Sequence, residues 1–485
     1  MPVPPLRITK VNSAPVRSNG EFVLYWMTSA RRLRANFGLQ RAAELSRELG
    51  KPLVVLEALR CDYQWASDRL HAFVLQGMRD NRADFAAKNV TYHPYVEPQR
   101  GAGKGLLLAM GQLAAAVVTD EFPCFFLPRM VQAAGAQLPV QLEQVDSNGL
   151  LPMRAAEKVF ARAVDFRRFL QRQLAAHLQD FPTGDPLRAE LPESMPLPAA
   201  ILRKWPAAST ELLSGSAAEL SALPIDHSVP PVASVPGGAV AAGALLRQFI
   251  QNLERYAEDR NDPDAAASSG LSPYLHFGHL SPHQVFAALA KHESWTTAKL
   301  ATKADGKRGW LGMSAPAEGF LDQLITWREL GYNMCWQRND FAEYQSLPEW
   351  AKQTLGECAK DARQHVYSLA QFESAMTHDP LWNAAQRQLV GEGRIHNYLR
   401  MLWGKKVVEW TSLPQDAWEI LIELNNRYAL DGRNPNSYTG IAWVFGRYDR
   451  PWAPRREIFG LIRWMSSQNT VRKVKTKVYQ QRWGG

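Results

Sequence analysis

Residues 378–443 read HDPLWNAAQRQLVGEGRIHNYLRMLWGKKVVEWTSLPQDAWEILIELNNRYALDGRNPNSYTGIAW. This stretch contains five tryptophans, at positions 382, 403, 410, 418 and 443. Apolar residues recur at helical spacing over 380–390, 394–409 and 415–428, so three helices are predicted. The aromatic excess has two explanations at this point. Either the helices form a core unusually rich in tryptophan, or they handle a flat cofactor and electrons.

The remainder of the second half is also predicted to be helical. Residues 245–258 place apolar side chains at 245, 246, 249, 250, 253 and 256, which is a helical stripe. Another helix is predicted over 318–336, and strand-like runs are nearly absent after residue 245.

A hydroxyl-rich loop precedes Pro273, which suits the first turn of a new helix. Ser268, Ser269 and Ser272 lie in this loop. Hydroxyls and free backbone N–H groups at a helix start bind a diphosphate in some proteins and merely cap the helix in others.

The first half alternates between strand and helix patterns. Short apolar runs predict buried strands over 21–27, 52–59, 90–96 and 115–119, and the helices between them are predicted over 33–49, 68–88 and 105–113. This alternation predicts an α/β domain with a doubly wound parallel sheet. The end of the strand Val117–Asp120 is where such sheets usually bind ligands.

A change in composition marks the predicted domain boundary. Residues 187–244 are rich in Pro, Gly and Ala, as is typical of an irregular connector. The chain of 485 residues is too long for one hydrophobic core. We therefore predict an α/β domain at 20–186, a connector at 187–244 and an all-α domain at 245–485.

The glycine-rich segment Gly101–Gly105 is not a nucleoside-triphosphate loop. Such a loop needs four residues between its first glycine and Gly-Lys, followed by Ser or Thr for magnesium. Here Lys104 is followed by Gly105. The segment is interpreted as a loop that opens a helix.

Charge and cysteine content limit which partners and which cellular compartment are expected. The formal net charge of +9 allows a polyanionic partner without proving one. The four cysteines are widely spaced and form no CxxC pair, which fits a reducing compartment. The N-terminus lacks the apolar core of a signal peptide and no apolar run is long enough to span a bilayer. A cytoplasmic protein without membrane contact is expected.

Short motifs, taken together, resemble the photolyase/cryptochrome family, and in detail its class II cyclobutane pyrimidine dimer photolyases. They run in family order over nearly the whole chain: Tyr25–Met27, Val117–Asp120, Asp146–Pro152, Leu271–Gly278, Arg328–Leu330, His378–Asn383, Leu399–Trp403, Leu430–Arg433 and Gly440–Trp443. The resemblance implies an α/β domain followed by an all-α FAD-binding domain. It also implies blue-light repair of pyrimidine dimers in damaged DNA by a monomer, and a possible second antenna chromophore of the deazaflavin or folate type.

The resemblance assigns an electron path to three tryptophans. Trp403 and Trp410 lie seven residues apart in one predicted helix, ~10.5 Å along its axis. Trp403 is expected nearest the flavin, Trp382 in the middle and Trp410 at a surface-exposed end. A heptad pair of tryptophans is otherwise a core stripe, and Trp418 is interpreted as core.

The resemblance also assigns residues to the flavin. Asn425 is expected beside flavin N5, and Arg400 and Asp431 form an ion pair beside the ring system, with a plain surface salt bridge as the alternative. The adenine–ribose–diphosphate part is expected to be held by Tyr256, Ser268, Ser269, Leu271 and Ser272.

For the lesion, Trp327, Met401 and Trp443 match family positions that contact the dimer. Arg463 and the late basic residues Lys473 and Lys475 are candidates to hold the DNA backbone. A basic run of that kind is otherwise a solvated face. Trp452 has no assigned role.

Gln323 departs from the family, which normally has a glutamate there. Glutamine donates a hydrogen bond but supplies no proton. Asp322 is adjacent, but on a helix it points about 100° away. Slower repair or a different substrate is the consequence. Asn434, where aspartate is common, is a smaller departure.

Two other functions stay open. A cryptochrome-like photoreceptor would bind FAD and signal with weak or no repair, and Gln323 favours it. A nucleic-acid-binding protein without flavin is the third alternative, and a flavin spectrum of the purified protein excludes it.

Overall fold

The computed structural model describes residues 1–265 and 267–484, which form two compact units that are each discontinuous in sequence. Unit 1 comprises Met1–Ala156, Arg172–Ile250 and Leu271–Ala298, and unit 2 comprises Glu157–Gln171, Gln251–Gly270 and Lys299–Gly485. The domain ranges 20–186, 187–244 and 245–485 stay a prediction.

Unit 1 is built on a six-stranded sheet. The strands are β1 (Ile8–Lys10), β2 (Phe22–Met27), β3 (Leu53–Leu59), β4 (Thr91–Val96), β5 (Ala114–Asp120) and β6 (Leu142–Val145). Their order is β1-β6-β5-β2-β3-β4, and all neighbours are parallel except β1 and β6. The predicted α/β fold is confirmed. The sequence analysis missed β1 and β6, which are too short to show a clear period.

Helices cover both faces of this sheet, as in a doubly wound fold. Alternate residues of β2 enter different cores: Val23, Tyr25 and Met27 pack with α1 (Phe37–Leu49), whereas Phe22, Leu24 and Trp26 share a core with residues of α3 (Leu106–Leu113) and α4 (Leu127–Gln137). The other helices of the first half are α2 (Asp68–Ala86) and α5 (Ala163–His177), and α5 contributes residues to both units.

Residues 187–244 contribute side chains to the core of unit 1. They contain α6 (Ala199–Lys204), α7 (Ala217–Leu220) and the start of α8 (Ala239–Gln251). Their apolar side chains join three separate core clusters, among them Leu191, Trp205 and Leu213. The many prolines of this range therefore go with frequent changes of chain direction in a segment that packs against the core of unit 1.

Asp120, the last residue of β5, is engaged in hydrogen bonds with β2 and with the loop that follows β2. Its carboxylate accepts the Tyr25 hydroxyl at 2.6 Å and the backbone N–H groups of Thr28, Ser29 and Ala30 at 2.8, 2.9 and 2.9 Å. This strand end, where the sequence analysis looked for a ligand, holds the loop that follows β2.

The glycine-rich loop before α3 is likewise held by an acidic side chain. Glu97 Oε1 accepts the N–H of Gly103 at 3.0 Å, and the Trp205 indole donates to the carbonyl of Ala102 at 2.9 Å. A carboxylate at the loop amides repels phosphate, which agrees with the rejection of a nucleoside-triphosphate loop.

The C-terminal region is largely helical. Its helices are α9 (Tyr256–Asp259), α10 (Ser272–His276), α11 (Pro282–His292), α12 (Ala315–Leu321), α13 (Arg328–Gln337), α14 (Glu349–Glu357), α15 (Leu369–Glu373), α16 (Pro380–Glu392), α17 (Asn397–Glu409), α18 (Pro414–Tyr428), α19 (Pro435–Val444), α20 (Ser467–Lys473) and α21 (Lys477–Trp483). The helix predicted over 245–258 is instead divided, because α8 ends at Gln251 and α9 begins at Tyr256.

A π-helical segment, Asp322–Trp327, joins α12 to α13. The helix predicted over 318–336 is therefore continuous but contains one wide turn, a feature that is frequent at functional sites. Within the described residues 1–265 and 267–484, no helix is both long and apolar enough to cross a membrane.

Candidate functional site

Trp382, Trp403 and Trp410 form a continuous chain of rings in unit 2. The Trp382 ring centroid lies 6.5 Å from that of Trp403, with planes 7° apart, and 6.0 Å from that of Trp410. The Trp382 indole donates to the backbone carbonyl of Trp403 at 2.9 Å, and the Trp403 indole donates to Gln386 Oε1 at 2.9 Å. Trp382 thus lies between the other two, in the order that the family resemblance implied.

The prediction that Trp410 is the surface-exposed end of this chain is wrong. Trp410 is only 3% exposed, comparable with 2% for Trp403 and 0% for Trp382. The rings of Tyr367 and His378 lie 5.7 and 4.9 Å from it, and the Lys406 ammonium lies 5.2 Å from it. Two of these three groups, the rings of Tyr367 and His378, come from the segment before α16.

Arg400 and Asp431 form the expected ion pair. Arg400 Nη2 lies 3.3 Å from Asp431 Oδ1, with side chains 28% and 14% exposed. Arg400 belongs to α17, and Asp431 lies in the turn after α18. The backbone carbonyl of Asp431 accepts the Ser437 hydroxyl at 2.8 Å. The pair is thus partly sheltered from solvent, which an ordinary surface salt bridge is not.

Two adjacent amides on α18 provide buried polar groups close to the end of that helix. Asn425 Nδ2 donates to Asn426 Oδ1 at 3.2 Å, and the Arg433 N–H donates to the same oxygen at 2.8 Å. Asn426 is fully buried, and its Nδ2 has no hydrogen-bond partner among the described residues. A buried donor of this kind fits a ligand rich in acceptors, such as a flavin.

The residues predicted for the rest of the flavin are divided between the units. Tyr256, Ser268 and Ser269 belong to unit 2, whereas Leu271 and Ser272 belong to unit 1. Tyr256 is buried, with its ring 5.4 Å from that of Phe320 and the Arg260 guanidinium 5.6 Å above it. Burial raises the pKa of Tyr256, so its hydroxyl stays neutral.

The two tryptophans predicted to grip the lesion stack directly on each other. The ring centroids of Trp327 and Trp443 lie 4.6 Å apart, with planes 16° apart. That spacing leaves no room for a base between the two rings, and their contact with the lesion stays a prediction. Both rings are partly exposed, as are Met401 and Gln323.

Asp322 is bound by two arginines and is not available beside Gln323. Its carboxylate accepts Arg167 Nε at 2.9 Å and Nη2 at 3.1 Å, and Arg308 Nε at 3.1 Å. Asp322 is 8% exposed. Its carboxylate is therefore occupied by Arg167 and Arg308, and Gln323 remains the candidate polar group for the lesion.

Two ionisable residues, the buried Lys405 and the partly buried Asp449, interact with the segment Trp443–Val444. Lys405 is fully buried and donates to the carbonyl of Val444, and burial lowers its pKa to about 7. Burial raises the pKa of Asp449, and a hydrogen bond from Trp443 partly offsets that shift. The sequence analysis missed both residues because only the folded chain brings them together.

The candidate DNA-binding cations are exposed. Arg463 lies over the ring of Trp452 at 5.3 Å, and Arg450 lies over the same ring at 5.4 Å. Lys473 ends α20, and Lys475 follows it, both with exposed side chains. Trp452, which had no assigned role, is thus held by two arginines at the surface of unit 2.

Comparisons with known proteins extend over nearly the full chain. The deoxyribodipyrimidine photo-lyase of Methanothermobacter thermautotrophicus is 34% identical over 481 residues, covering 99% of this chain and 98% of that protein. The protein of the same name from Oryza sativa subsp. japonica is 33% identical over 472 residues, covering 94% and 86%. No family model matches the chain.

Solved structures agree in fold. A bacterial class III photolyase from Agrobacterium tumefaciens gives a TM-score of 0.67 at 18% identity, covering 96% of this chain and 86% of that one. An archaeal photolyase from Sulfolobus tokodaii, described with two FAD molecules, gives 0.64 at 14% identity, covering 95% and 89%. At these identities the likeness concerns the fold alone.

Proposed function

Because this chain belongs to the deoxyribodipyrimidine photolyase family, we propose that it uses blue light to repair cyclobutane pyrimidine dimers in DNA. The observation that carries the proposal is helix α17, which presents Arg400, Met401 and Trp403 within four residues. One helix thereby carries a member of the ion pair (Arg400), a proposed lesion contact (Met401) and a ring of the tryptophan chain (Trp403). We also propose that the enzyme is of the class II type.

FAD is the proposed cofactor. Arg400 with Asp431 would hold the ring system, and Asn425 would face N5, where an amide both accepts and donates hydrogen bonds. Tyr256, Ser268, Ser269, Leu271 and Ser272 would hold the adenine, ribose and diphosphate. When bound and reduced, the cofactor supplies one electron to the lesion in light and receives it back, so the reaction has no net redox change.

The chain's own residues would recognise the lesion by stacking and charge. Enzymes that act on bases, photolyases among them, take the target out of the stack. The stacked pair of Trp327 and Trp443 would offer one outer face to the extruded dimer, at about 1–3 kcal/mol per stacked base. Met401 would fill the adjoining apolar contact. Arg463, Lys473 and Lys475 would neutralise phosphates, which positions DNA without reading sequence.

Gln323 would contact the carbonyl groups of the dimer. Its amide donates a hydrogen bond to the oxygen on which negative charge develops but delivers no proton. The ring splitting therefore relies on hydrogen bonding alone at this position. Slower repair than in an enzyme with glutamate is the expected consequence.

An antenna chromophore of the deazaflavin or folate type in residues 20–186, and the monomeric state, stay predictions. The Sulfolobus tokodaii structure is described with two FAD molecules and with the implication of a novel light-harvesting cofactor. Fold analogy is the support for a second chromophore in this chain.

The test compares two lesions. Chemically reduced protein is illuminated with oligonucleotides that carry either a cyclobutane thymine dimer or a (6–4) photoproduct, and intact thymines are quantified by chromatography. The proposal predicts restoration of the first lesion only. Restoration of the (6–4) lesion alone contradicts the proposed substrate, and restoration of neither contradicts repair and favours a photoreceptor.

A further inference from the structure

Helix α21, with seven residues, is too short to be stable by itself and is held by contacts at several points. Arg387 of α16 donates to the backbone carbonyls of Trp483 and Gly484 at 3.2 and 2.6 Å, which satisfies acceptors at the end of the helix. The Arg482 guanidinium lies 2.6 Å from the carboxylate of Glu392, which is also on α16. The last turn of α21 is thereby fixed to α16.

The first turn of α21 is bound by an acidic side chain from a distant part of the sequence. Asp264 Oδ2 accepts the backbone N–H of Val478 at 3.1 Å, and Asp264 Oδ1 accepts that of Tyr479 at 2.7 Å. The N–H groups of a first helical turn have no partner within the helix, so Asp264 caps α21 although 214 positions separate it from Val478. Asp264 lies between α9 and α10 in the serine segment, which also contains Ser268 and Ser269.

Tyr479 connects this cap with the start of α17. Tyr479 is buried, and its hydroxyl donates to Gln388 Oε1 at 2.8 Å. The same oxygen accepts the backbone N–H of His396, the residue before α17, at 3.0 Å. Burial raises the pKa of Tyr479, so the hydroxyl keeps its proton and stays a donor. Two hydrogen bonds through Gln388 therefore join α21 to the helix that carries Arg400.

Helix α21 thus connects two parts of unit 2 to which different parts of FAD were assigned. We infer that Asp264 and Tyr479 are positioning residues for FAD, which tie the serine segment to α17 through α21. This inference rests on the proposed flavin-binding roles of Ser268, Ser269 and Arg400. Neither positioning residue has to touch the cofactor, since each acts through the elements that it holds.

The hydrogen bonds of Asp264 order the serine segment before FAD arrives. A ligand that has to order a segment as it binds loses part of its affinity, so a segment that is already ordered strengthens binding. The sign of the effect distinguishes this role from an effect of charge. A carboxylate in a segment that holds a diphosphate repels it, so charge alone would make FAD bind more tightly once Asp264 is neutralised. Positioning predicts the opposite change.

The test is fluorescence titration of the full-length apoprotein with FAD. Asp264→Ala removes both acceptor oxygens, and FAD affinity is expected to fall about fivefold, the size of a lost helix cap. Asp264→Asn removes the charge but keeps one acceptor oxygen, so its affinity is expected to lie between those of Asp264→Ala and wild type. Tyr479→Phe removes only the hydroxyl, and a loss of about threefold is expected, as for one hydrogen bond.

A second ligand and a matched variant separate positioning from general damage. Riboflavin has the ring system but lacks the diphosphate and the adenosine, so Asp264→Ala should leave its affinity unchanged. Asp361→Ala is the matched control, because Asp361 accepts the backbone N–H of Ile458 at 2.8 Å in the same unit but outside the serine segment, α17 and α21. Its FAD affinity should equal that of wild type. Circular dichroism shows whether each variant is folded.

The outcomes separate this inference from the proposed function. Unchanged FAD affinity in both Asp264→Ala and Tyr479→Phe, or tighter binding in Asp264→Ala, overturns the inference and leaves the proposed repair standing. An equal fall in FAD and riboflavin affinity in Asp264→Ala assigns the effect to general damage and also overturns the inference. Failure of folded wild type to bind FAD overturns the proposed cofactor, and this inference with it.

Discussion

The indole rings of Trp382 and Trp403 lie parallel within 7°, with their centroids 6.5 Å apart, although 21 residues separate them in the chain. The Trp382 indole N–H donates to the backbone carbonyl of Trp403, which ties helix α16 to helix α17 at this point. Both rings are buried, and this protects them from water and keeps the gap between them constant.

Removal of the middle ring should interrupt the proposed path. Trp382→Phe keeps an apolar ring but removes the easily oxidised indole, so photoreduction of oxidised flavin should fall to near the background rate. Absorbance of the flavin under blue light with a thiol donor measures it. Trp418→Phe is the matched control, because Trp418 is equally buried and has no role in the proposed path. Equal loss in both variants would mean that general disturbance, not electron transfer, is responsible.

Replacement of Gln323 by glutamate should accelerate repair. A carboxylic acid adds a proton donor to the dimer carbonyls, and general acid catalysis typically accelerates a step by a factor of about 10²–10⁴, so a larger fraction of the absorbed photons should split a dimer. The quantum yield of dimer splitting by chemically reduced protein is the measurement. Gln337→Glu, at the end of α13, adds the same carboxyl group away from Gln323 and should leave the yield unchanged. A yield unchanged by Gln323→Glu would show that position 323 does not contact the lesion.

Loss of the Arg400–Asp431 ion pair should weaken flavin binding. Asp431→Asn leaves a partly buried guanidinium without its carboxylate, so FAD affinity should fall about tenfold, or ~1.4 kcal/mol. Fluorescence titration of apoprotein with FAD measures this. Glu357→Gln breaks the exposed Arg455–Glu357 pair of the same unit and should have no effect. Unaltered affinity in Asp431→Asn would remove this pair from the flavin site.

Lys405 should make stability depend on pH. Its pKa falls to about 7 in the folded chain, against about 10.4 for an unfolded lysine. Between these values the unfolded state binds more protons, so the free energy of unfolding contributed by this group rises with pH from about 7 to about 10. Lys405→Met should remove that rise and increase Tm at pH 7. Thermal unfolding at pH 7 and pH 9 checks it, and identical pH slopes in wild type and variant would contradict it.

Local patterns predicted much of the fold. The four longest strands and the helices over 380–390 and 415–428 follow from apolar periodicity, since these segments pack a single stripe or a whole strand into a core. The wide turn at Asp322–Trp327 was not predictable, because its Asp322 is held by Arg167, which is 155 residues distant. The packing of residues 187–244 was also missed, because prolines interrupt the regular spacing of the apolar residues that enter the core clusters.

In the candidate site, too, some features could be predicted from the sequence and others depend on tertiary contacts. Ring contacts place Trp382 between Trp403 and Trp410, as the family resemblance implied, and the position of Trp403 nearest the flavin stays a prediction. The burial of Trp410 was not predicted, because the rings that pack over Trp410 belong to Tyr367 and His378, on a preceding segment without a periodic pattern. The direct stacking of Trp327 on Trp443 likewise depends on tertiary packing between the π segment and α19.

The proposed function is tested most directly by a count of restored thymines in a single turnover. Wild-type protein is loaded with FAD, chemically reduced, mixed with an equimolar oligonucleotide bearing one cyclobutane thymine dimer, and divided between blue light and darkness. We predict that intact thymines appear in the illuminated sample alone, with the flavin still reduced afterwards. Equal recovery in darkness, or no recovery in light from protein that retains its flavin, would contradict light-driven dimer repair by this chain.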